Sequence, residues 1–248
     1  MTTKEQGIGS VWTREQPRRR REQPALSRDQ IVAEALNLLD EEGPEALSMR
    51  KLGARLGAGA TSLYTYVANK DELMELVADA TFGEVPPPAT GADWRSALTG
   101  LANDLRAMIL RHPWLSIMLG EIGLLYLGPN VMRLNEALLT LLEENGFDDE
   151  EADNVVTLLF SFVLGMAISE AASRQTIRRS GLSDSEWFQK MWPAAEAATR
   201  GYPRLHRRYT SFDARTDGLT ADMDTVRDEG FAKHIARLLD GVQPPQPG

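Results

Sequence analysis

Apolar residues recur every three or four positions through the first part of the chain, and this spacing predicts a run of short helices. Ser27 followed by Gln30 is a capping-box pattern, so the first helix is expected to begin there. Its apolar positions are Ile31, Ala35, Leu38 and Leu39. Ser48 can cap a second helix of about two turns, and Asn69 can cap a fourth. Residues 57–60, "GAGA", form the turn before the third helix.

The third predicted helix is short and unusually polar. Leu63 and Val67 lie four residues apart and are expected to point inward, which leaves hydroxyl and tyrosine side chains on the flanks and outer face. These side chains are Thr61, Ser62, Tyr64, Thr65 and Tyr66. Two short helices joined by a glycine-containing turn, the second polar on its free face, are typical of a helix-turn-helix that reads DNA. The alternative is a small helical hairpin with a solvated surface.

Beyond the three prolines at residues 86–88 the periodicity stays helical, so the sequence predicts an all-α protein without strand alternation or repeats. The further helices are predicted at residues 93–111, 113–122, 129–145, 148–175, 183–199 and 221–239. Residues 201–219 contain Pro203 and Gly218 and are predicted to form a loop.

The composition along the chain predicts four segments. Residues 1–26 are polar and poor in apolar positions, so they are expected to form a disordered basic arm. The helix-turn-helix domain is predicted at residues 27–84 and a larger helical domain for ligand binding and dimerisation at residues 90–240. Residues 241–248 are predicted to be a flexible tail.

Charge and composition narrow the classes of function. The net charge is −9, but the first 70 residues carry +2 and the remainder −11, which permits a nucleic-acid partner at the N-terminal end. The absence of cysteine excludes disulfides and thiol nucleophiles, and favours a cytoplasmic location. The apolar run at residues 155–168 is shorter than the roughly 20 residues that cross a bilayer. It is interpreted as a buried helix, and no membrane partner is expected.

The segment "SMRKLGARLGAGATSLYTYVANKDELMELV" resembles the DNA-binding domain of TetR-type transcriptional repressors, and this resemblance runs from about Leu26 to Phe82. The stretches "RHPWLSIMLG" and "ENGFDDEEA" resemble the tetracycline-repressor branch of that family. The resemblance implies a homodimer that binds a palindromic double-stranded DNA operator and is released by a small-molecule inducer. The residues implied to contact DNA are Ser48, Arg50, Thr61, Ser62, Tyr64, Thr65, Tyr66 and Lys70. Because Tyr66 stands where the family usually has histidine, the operator sequence cannot be transferred.

A basic run precedes the first helix by about six residues. It consists of Arg18, Arg19, Arg20 and Arg21. A homeodomain uses such an arginine arm to enter the minor groove beside its recognition helix, and the same role is predicted here. The run also resembles extensions of some actinobacterial members of the family. The alternative is a solvated tail without a partner.

The sequence shows no clear pattern for a catalytic site or a metal site. The three histidines, His112, His206 and His234, are scattered, and His112 is interpreted as a structural residue or the edge of a pocket. By the resemblance, Met118 replaces a histidine that binds magnesium in tetracycline repressors, and a thioether does not suit that hard cation. No metal or cofactor is expected. The rival hypothesis is an enzyme or helical scaffold that contains an incidental helix-turn-helix-like corner.

The larger helical region is expected to form a dimer interface and a ligand pocket. Small residues at four-residue spacing alternate with apolar ones along the helix at residues 148–175. The resemblance implies that this helix and the last one pair across a dimer, with an ordinary intrachain contact as the alternative. The interface residues are Ser161, Leu164, Gly165, Ile168 and Ser169. The pocket residues, which could equally be core, are Asn103, Met108, Trp114, Met118, Glu121, Tyr126, Phe160 and Met166. Methionine and aromatic walls suit a flat, lipophilic ligand.

Overall fold

Helices are the only regular elements in residues 26–119, 128–215 and 222–244, which are the residues described in this computed structural model, so the all-α prediction is confirmed. The side chains of residues 212–215 are not part of that description. The first helices are α1 (Arg28–Glu42), α2 (Met49–Arg55), α3 (Ala60–Leu63) and α4 (Lys70–Phe82), with a single 3-10 turn at Pro44–Ala46. We call α1 to α4 the reading head.

The later helices follow the predicted order with different bounds. They are α5 (Trp94–Arg111), α6 (Leu115–Met118), α7 (Pro129–Glu144), α8 (Asp149–Ser180), α9 (Asp184–Thr199), α10 (Pro203–Arg215) and α11 (Met223–Asp240). The chain divides into two compact units, Met1–Ile168 with Pro244–Gly248, and Ser169–Gln243. The segment limits expected at residues 84 and 90 remain predictions.

Local capping starts the helices of the reading head. Ser27 Oγ accepts from the Gln30 amide at 3.1 Å, and the Gln30 side chain accepts from the Ser27 amide at 2.8 Å, which completes the predicted capping box. Ser48 Oγ accepts from the Lys51 amide at 3.2 Å, and Asn69 Oδ1 accepts from the Glu72 amide at 2.8 Å. Each bond satisfies an amide that the helix itself leaves without a partner.

A close backbone approach joins α2 to α3. A Cβ atom on Gly53 would lie 2.7 Å from the carbonyl oxygen of Ala58 and 3.2 Å from the amide nitrogen of Ala60. Glycine is therefore needed in α2 for the turn to pass so near. Leu63 and Val67 are fully buried beneath the same turn, as their spacing predicted.

The prediction of a loop at residues 201–219 is wrong, because α10 occupies Pro203–Arg215. Pro203 is the first residue of the helix, where its fixed φ and missing N–H carry no cost. The helix packs against α9, with the rings of Trp192 and Tyr209 5.0 Å apart and Thr199 Oγ1 3.2 Å from His206 Nδ1. These contacts outweigh the local turn signals.

Helix α8 is longer and less covered than its interpretation as a buried helix requires. Its 32 residues are enough to cross a membrane by length and composition, a test that core helices of soluble proteins also pass. Only 28% of its most apolar 18-residue window is buried. The buried stripe is Ala152, Val155, Leu159, Val163, Ala167, Ala171 and Ile177. Within the single chain, the interpretation as a buried helix therefore holds for this stripe of α8.

Candidate DNA-reading surface and its supports

Helix α3 presents a compact set of exposed polar side chains. Thr61, Ser62, Tyr64 and Thr65 are all exposed, and Tyr64 keeps 51% of its surface accessible. The helix ends at Leu63, so Tyr64 is its C-cap and Thr65 lies in the following turn, where its hydroxyl donates to the carbonyl of Ser62 at 2.7 Å. Hydroxyls and phenols of this kind hydrogen-bond to phosphates and base edges.

Three other predicted DNA contacts have a structural partner inside the chain. The Tyr66 hydroxyl is half-buried and donates to the carbonyl of Leu26 at 2.7 Å, so it ties the entry of α1 to the turn after α3. Lys70 is exposed, and its ammonium donates to the Pro44 carbonyl at 3.3 Å. Ser48 caps α2.

The remaining predicted DNA contacts are five arginines. Arg50 is exposed in the first turn of α2. The four residues Arg18 to Arg21 lie outside the described residues.

The start of α4 has fewer available amides than a phosphate-binding helix terminus would need. Asn69 occupies the amide of Glu72, and the Glu72 carboxylate accepts from the amide of Ala68 at 2.9 Å. The amides of Ala68 and Glu72 are therefore bonded within the chain and are not available to a phosphate.

Five side chains that the sequence did not connect meet where the reading head adjoins α5 and α6, and we call them the Asp40–Glu84 junction. They are Asp40, Glu84, Arg111, His112 and Trp114. His112 is buried, and its Nδ1 and Nε2 lie 2.8 Å and 3.0 Å from oxygens of Asp40 and Glu84. The indole of Trp114 donates to Asp40 at 2.8 Å.

A second support joins α4 to α7. The buried carboxylate of Asp79 accepts from the amides of Asn130 and Val131 at 3.0 Å and 3.1 Å, and from the side-chain amide of Asn130 at 2.9 Å. Burial raises the pKa of Asp79, while these hydrogen bonds oppose the rise. Gly128 passes so close that a Cβ there would overlap this carboxylate. The only sequence signal was an acidic residue inside the apolar stretch of α4.

The predicted pocket residues occupy different environments. Met108 and Trp114 are buried; Met118, Phe160 and Met166 are half-buried. Asn103 is exposed on α5, with its amide donating to the Thr99 carbonyl of its own helix at 3.0 Å. Glu121 and Tyr126 lie outside the described residues. The described residues contain no group of three or more His, Asp and Glu side chains that could hold a metal ion.

The predicted interface residues share one side of α8. Ser161, Gly165 and Ser169 are exposed, while Leu164 and Ile168 are half-buried. Leu158, one turn earlier, keeps 46% of its surface accessible. A Cβ on Gly165 would meet nothing within 4 Å in the single chain.

A reading head that holds a helix-turn-helix, followed by a larger helical region, defines a class of transcriptional regulators. The chain belongs to the TetR family. Residues 31–77 match the family described as bacterial regulatory proteins, tetR family, and residues 87–244 match the tetracyclin repressor-like C-terminal domain. It is a ligand-responsive, DNA-binding repressor of that family, as the resemblance in its sequence indicated.

Proteins of similar sequence match most of the chain. The HTH-type transcriptional repressor DrrR1 of Streptomyces coeruleorubidus is 35% identical over 224 residues, which are 89% of this chain and 78% of DrrR1. The tetracycline repressor protein class A from transposon 1721 of Escherichia coli is 32% identical, covering 88% of this chain and 90% of that repressor. The Streptomyces coelicolor TetR family protein ActR, solved in complex with actinorhodin, has a TM-score of 0.68 and 33% identity over 89% of this chain and 98% of ActR.

Proposed function

We propose that the chain acts in the cytoplasm as a homodimer that binds a palindromic operator through α3 of each protomer and leaves it when a small, largely apolar and aromatic molecule binds the C-terminal region. The observation that carries the DNA-reading role is the exposed polar set on α3. Its members project from a segment that Leu63 and Val67 hold by full burial. The polar side chains of α3 are therefore held in place by the core and are accessible to DNA.

The uncovered side of α8 supports the homodimer. An apolar helix with uncovered apolar side chains gains free energy when a second copy covers them, at roughly 25 cal/mol per Å² of apolar area. The small side chains of Ser161, Gly165 and Ser169 let two such helices approach closely. A dimer can also hold two α3 helices about 34 to 36 Å apart, as successive major grooves on one face of DNA require.

The proposal of a small-molecule effector rests on a relative and on apolar side chains of this chain. ActR was solved with actinorhodin, which favours a small molecule as the effector of this chain too. The half-buried Met118 and Met166 are flexible apolar side chains of the kind that adapts to an apolar ligand. We propose no catalytic role, because the matched family and the named relatives are regulators.

Tyr64→Ala is expected to weaken operator binding by roughly 5- to 150-fold, because one lost base or phosphate contact costs about 1 to 3 kcal/mol. Thermal unfolding should not change, since the side chain is half exposed and C-terminal to α3. Fluorescence anisotropy with an operator selected from random duplexes measures the effect. Tyr202→Ala is the matched control, because Tyr202 is 64% exposed and lies between α9 and α10. Equal operator affinity for the two variants would contradict the assignment of α3.

Gly165→Trp is expected to convert the dimer to monomer at micromolar concentration while leaving the protomer folded. The indole would enter open space in the single chain but would wedge apart two α8 helices. Sedimentation velocity and far-UV circular dichroism measure the two effects. Gly100→Trp on α5 is the matched control, because a Cβ at Gly100 also meets nothing within 4 Å. A wild-type monomer at micromolar concentration, or a dimeric Gly165→Trp, would refute this interface.

A further inference from the structure

The Asp40–Glu84 junction has an unusual division of donors and acceptors. Both acceptors belong to the reading-head side: Asp40 lies in α1, and Glu84 follows α4 by two residues. All the donors come from the short stretch 111–114, which comprises the last residue of α5 and the turn before α6. One stretch of chain therefore holds the reading head at two separate points.

His112 is the centre of the junction. Its Nδ1 lies 2.8 Å and 3.0 Å from the two oxygens of Asp40, and its Nε2 lies 3.0 Å from Glu84 Oε1. A carboxylate only accepts hydrogen bonds, so each ring nitrogen that bears a proton donates to the carboxylate that faces it. The side chain is 3% exposed, and hydrogen bonds that end on a carboxylate are among the stronger ones in proteins.

The neighbours of His112 complete the arrangement. Trp114 Nε1 donates to the same oxygen of Asp40 at 2.8 Å, and the Arg111 guanidinium pairs with Glu84. Each carboxylate thus receives one bond from the buried imidazole and one from an adjacent residue. Rotation of the reading head against α5 would break bonds at Asp40, at Glu84 or at both.

We propose that His112 is a positioning residue for operator recognition: it fixes the angle of the reading head against α5, and with it the separation of the two α3 helices in the dimer. This inference rests on the proposed function, because a fixed separation matters only to a dimer that reads two half-sites. It also gives Trp114 a defined role, since a side chain predicted to line the pocket holds Asp40 instead.

The test compares three duplexes that differ only in half-site spacing: the selected operator, and the same half-sites moved apart or together by one base pair. The full-length wild type should bind the selected operator at least about tenfold more tightly than the other two. His112→Gln keeps at most part of the bonding to the two carboxylates. It should lose about tenfold on the selected operator but less than about twofold on the others, which narrows the spacing preference.

Two further variants distinguish a positioning role of His112 from a loss of protein stability. Asp104→Asn changes an exposed side chain of α5 and should leave all three affinities unchanged. If His112→Gln unfolds, Asp40→Asn answers the same question, because it retains an acceptor for Trp114 while removing the charge that faces the imidazole.

The outcomes distinguish the two proposals. An equal loss on all three duplexes, or no loss on any, would overturn the positioning role and leave the dimeric repressor intact. A wild type that is indifferent to half-site spacing would instead overturn the dimeric reading on which this inference rests.

Discussion

Gly53→Ala is expected to reduce operator affinity by at least about 100-fold, equivalent to roughly 2.7 kcal/mol. The added Cβ would lie 2.7 Å from the carbonyl oxygen of Ala58 and 3.2 Å from the amide of Ala60. Both are backbone atoms, so relief requires the turn and α3 to move away from α2. Overpacking of this kind costs about 1 to 3 kcal/mol of stability, and the displaced α3 no longer fits the groove. Anisotropy titration and thermal unfolding measure the two losses.

Gly59→Ser tests whether any larger residue in this turn is harmful. A Cβ on Gly59 would meet only the hydroxyl of Ser62, at 4.0 Å, and serine is a favourable N-cap for α3. Its thermal midpoint should equal or exceed that of the wild type, whereas Gly53→Ala should lower it. If Gly53→Ala has the same thermal midpoint and the same operator affinity as the wild type, the close approach of α2 and α3 does not constrain the reading surface.

The second large effect is expected at the support between α4 and α7. Gly128→Ala should lower the free energy of unfolding by about 3 kcal/mol, because its Cβ would overlap the Asp79 carboxylate and lie 2.6 Å from Asp79 Cγ. The carboxylate cannot withdraw without leaving the amides of Asn130 and Val131 unsatisfied. Urea unfolding measures the loss. Gly100→Ala is the control and should not destabilise, since it adds a methyl group to a helix in open space.

A double-mutant cycle isolates this contact. Asp79→Ala should itself cost about 3 kcal/mol through the unsatisfied donors, but it removes the atoms that Gly128→Ala would overlap. The second substitution should then cost less than about 1 kcal/mol, giving a coupling of about 2 kcal/mol. Strictly additive losses would show that Gly128 and Asp79 act independently.

The pH dependence of the Asp79→Ala cost has a defined sign. Burial raises the pKa of Asp79 in the folded state, so the folded protein holds this proton more tightly than the unfolded chain. The corresponding stability is present below the unfolded pKa of about 4 and is lost as pH rises through the folded pKa. The cost of Asp79→Ala should therefore be larger near pH 4 than at pH 7 in the same urea experiment.

Helix starts could be predicted because their causes are local. Ser27, Ser48, Asn69 and Ser183 each cap a helix by a bond to an amide two or three residues into it, so a short window contains the whole interaction. Helix α10 escaped prediction for the opposite reason. Its proline and the glycine beyond it are local turn signals, while the packing of Tyr209 on Trp192 is visible only in three dimensions.

The candidate site likewise has features that local spacing predicts and others that depend on residues far apart in the chain. The exposed face of α3 follows from the spacing of Leu63 and Val67, and the structure agrees. Tyr66 lies on the same stretch, but its hydroxyl bonds to Leu26, 40 positions away. His112 and Asp40 are separated by 72 positions, so no local pattern connects them. Pairings of this kind depend on how α1, α4 and α5 pack, which composition and periodicity do not determine.

The brevity of α3 has a consequence for the evolution of operator preference. Only Leu63 among its four residues is buried, whereas Thr61, Ser62 and the capping Tyr64 are exposed. Substitutions at exposed positions usually change stability by less than about 0.5 kcal/mol. If α3 reads the operator as proposed, descendants of this repressor can explore new operators one substitution at a time without first acquiring compensating changes in the core. Divergence of target genes after duplication would be limited by the DNA sequences available rather than by the tolerance of the fold.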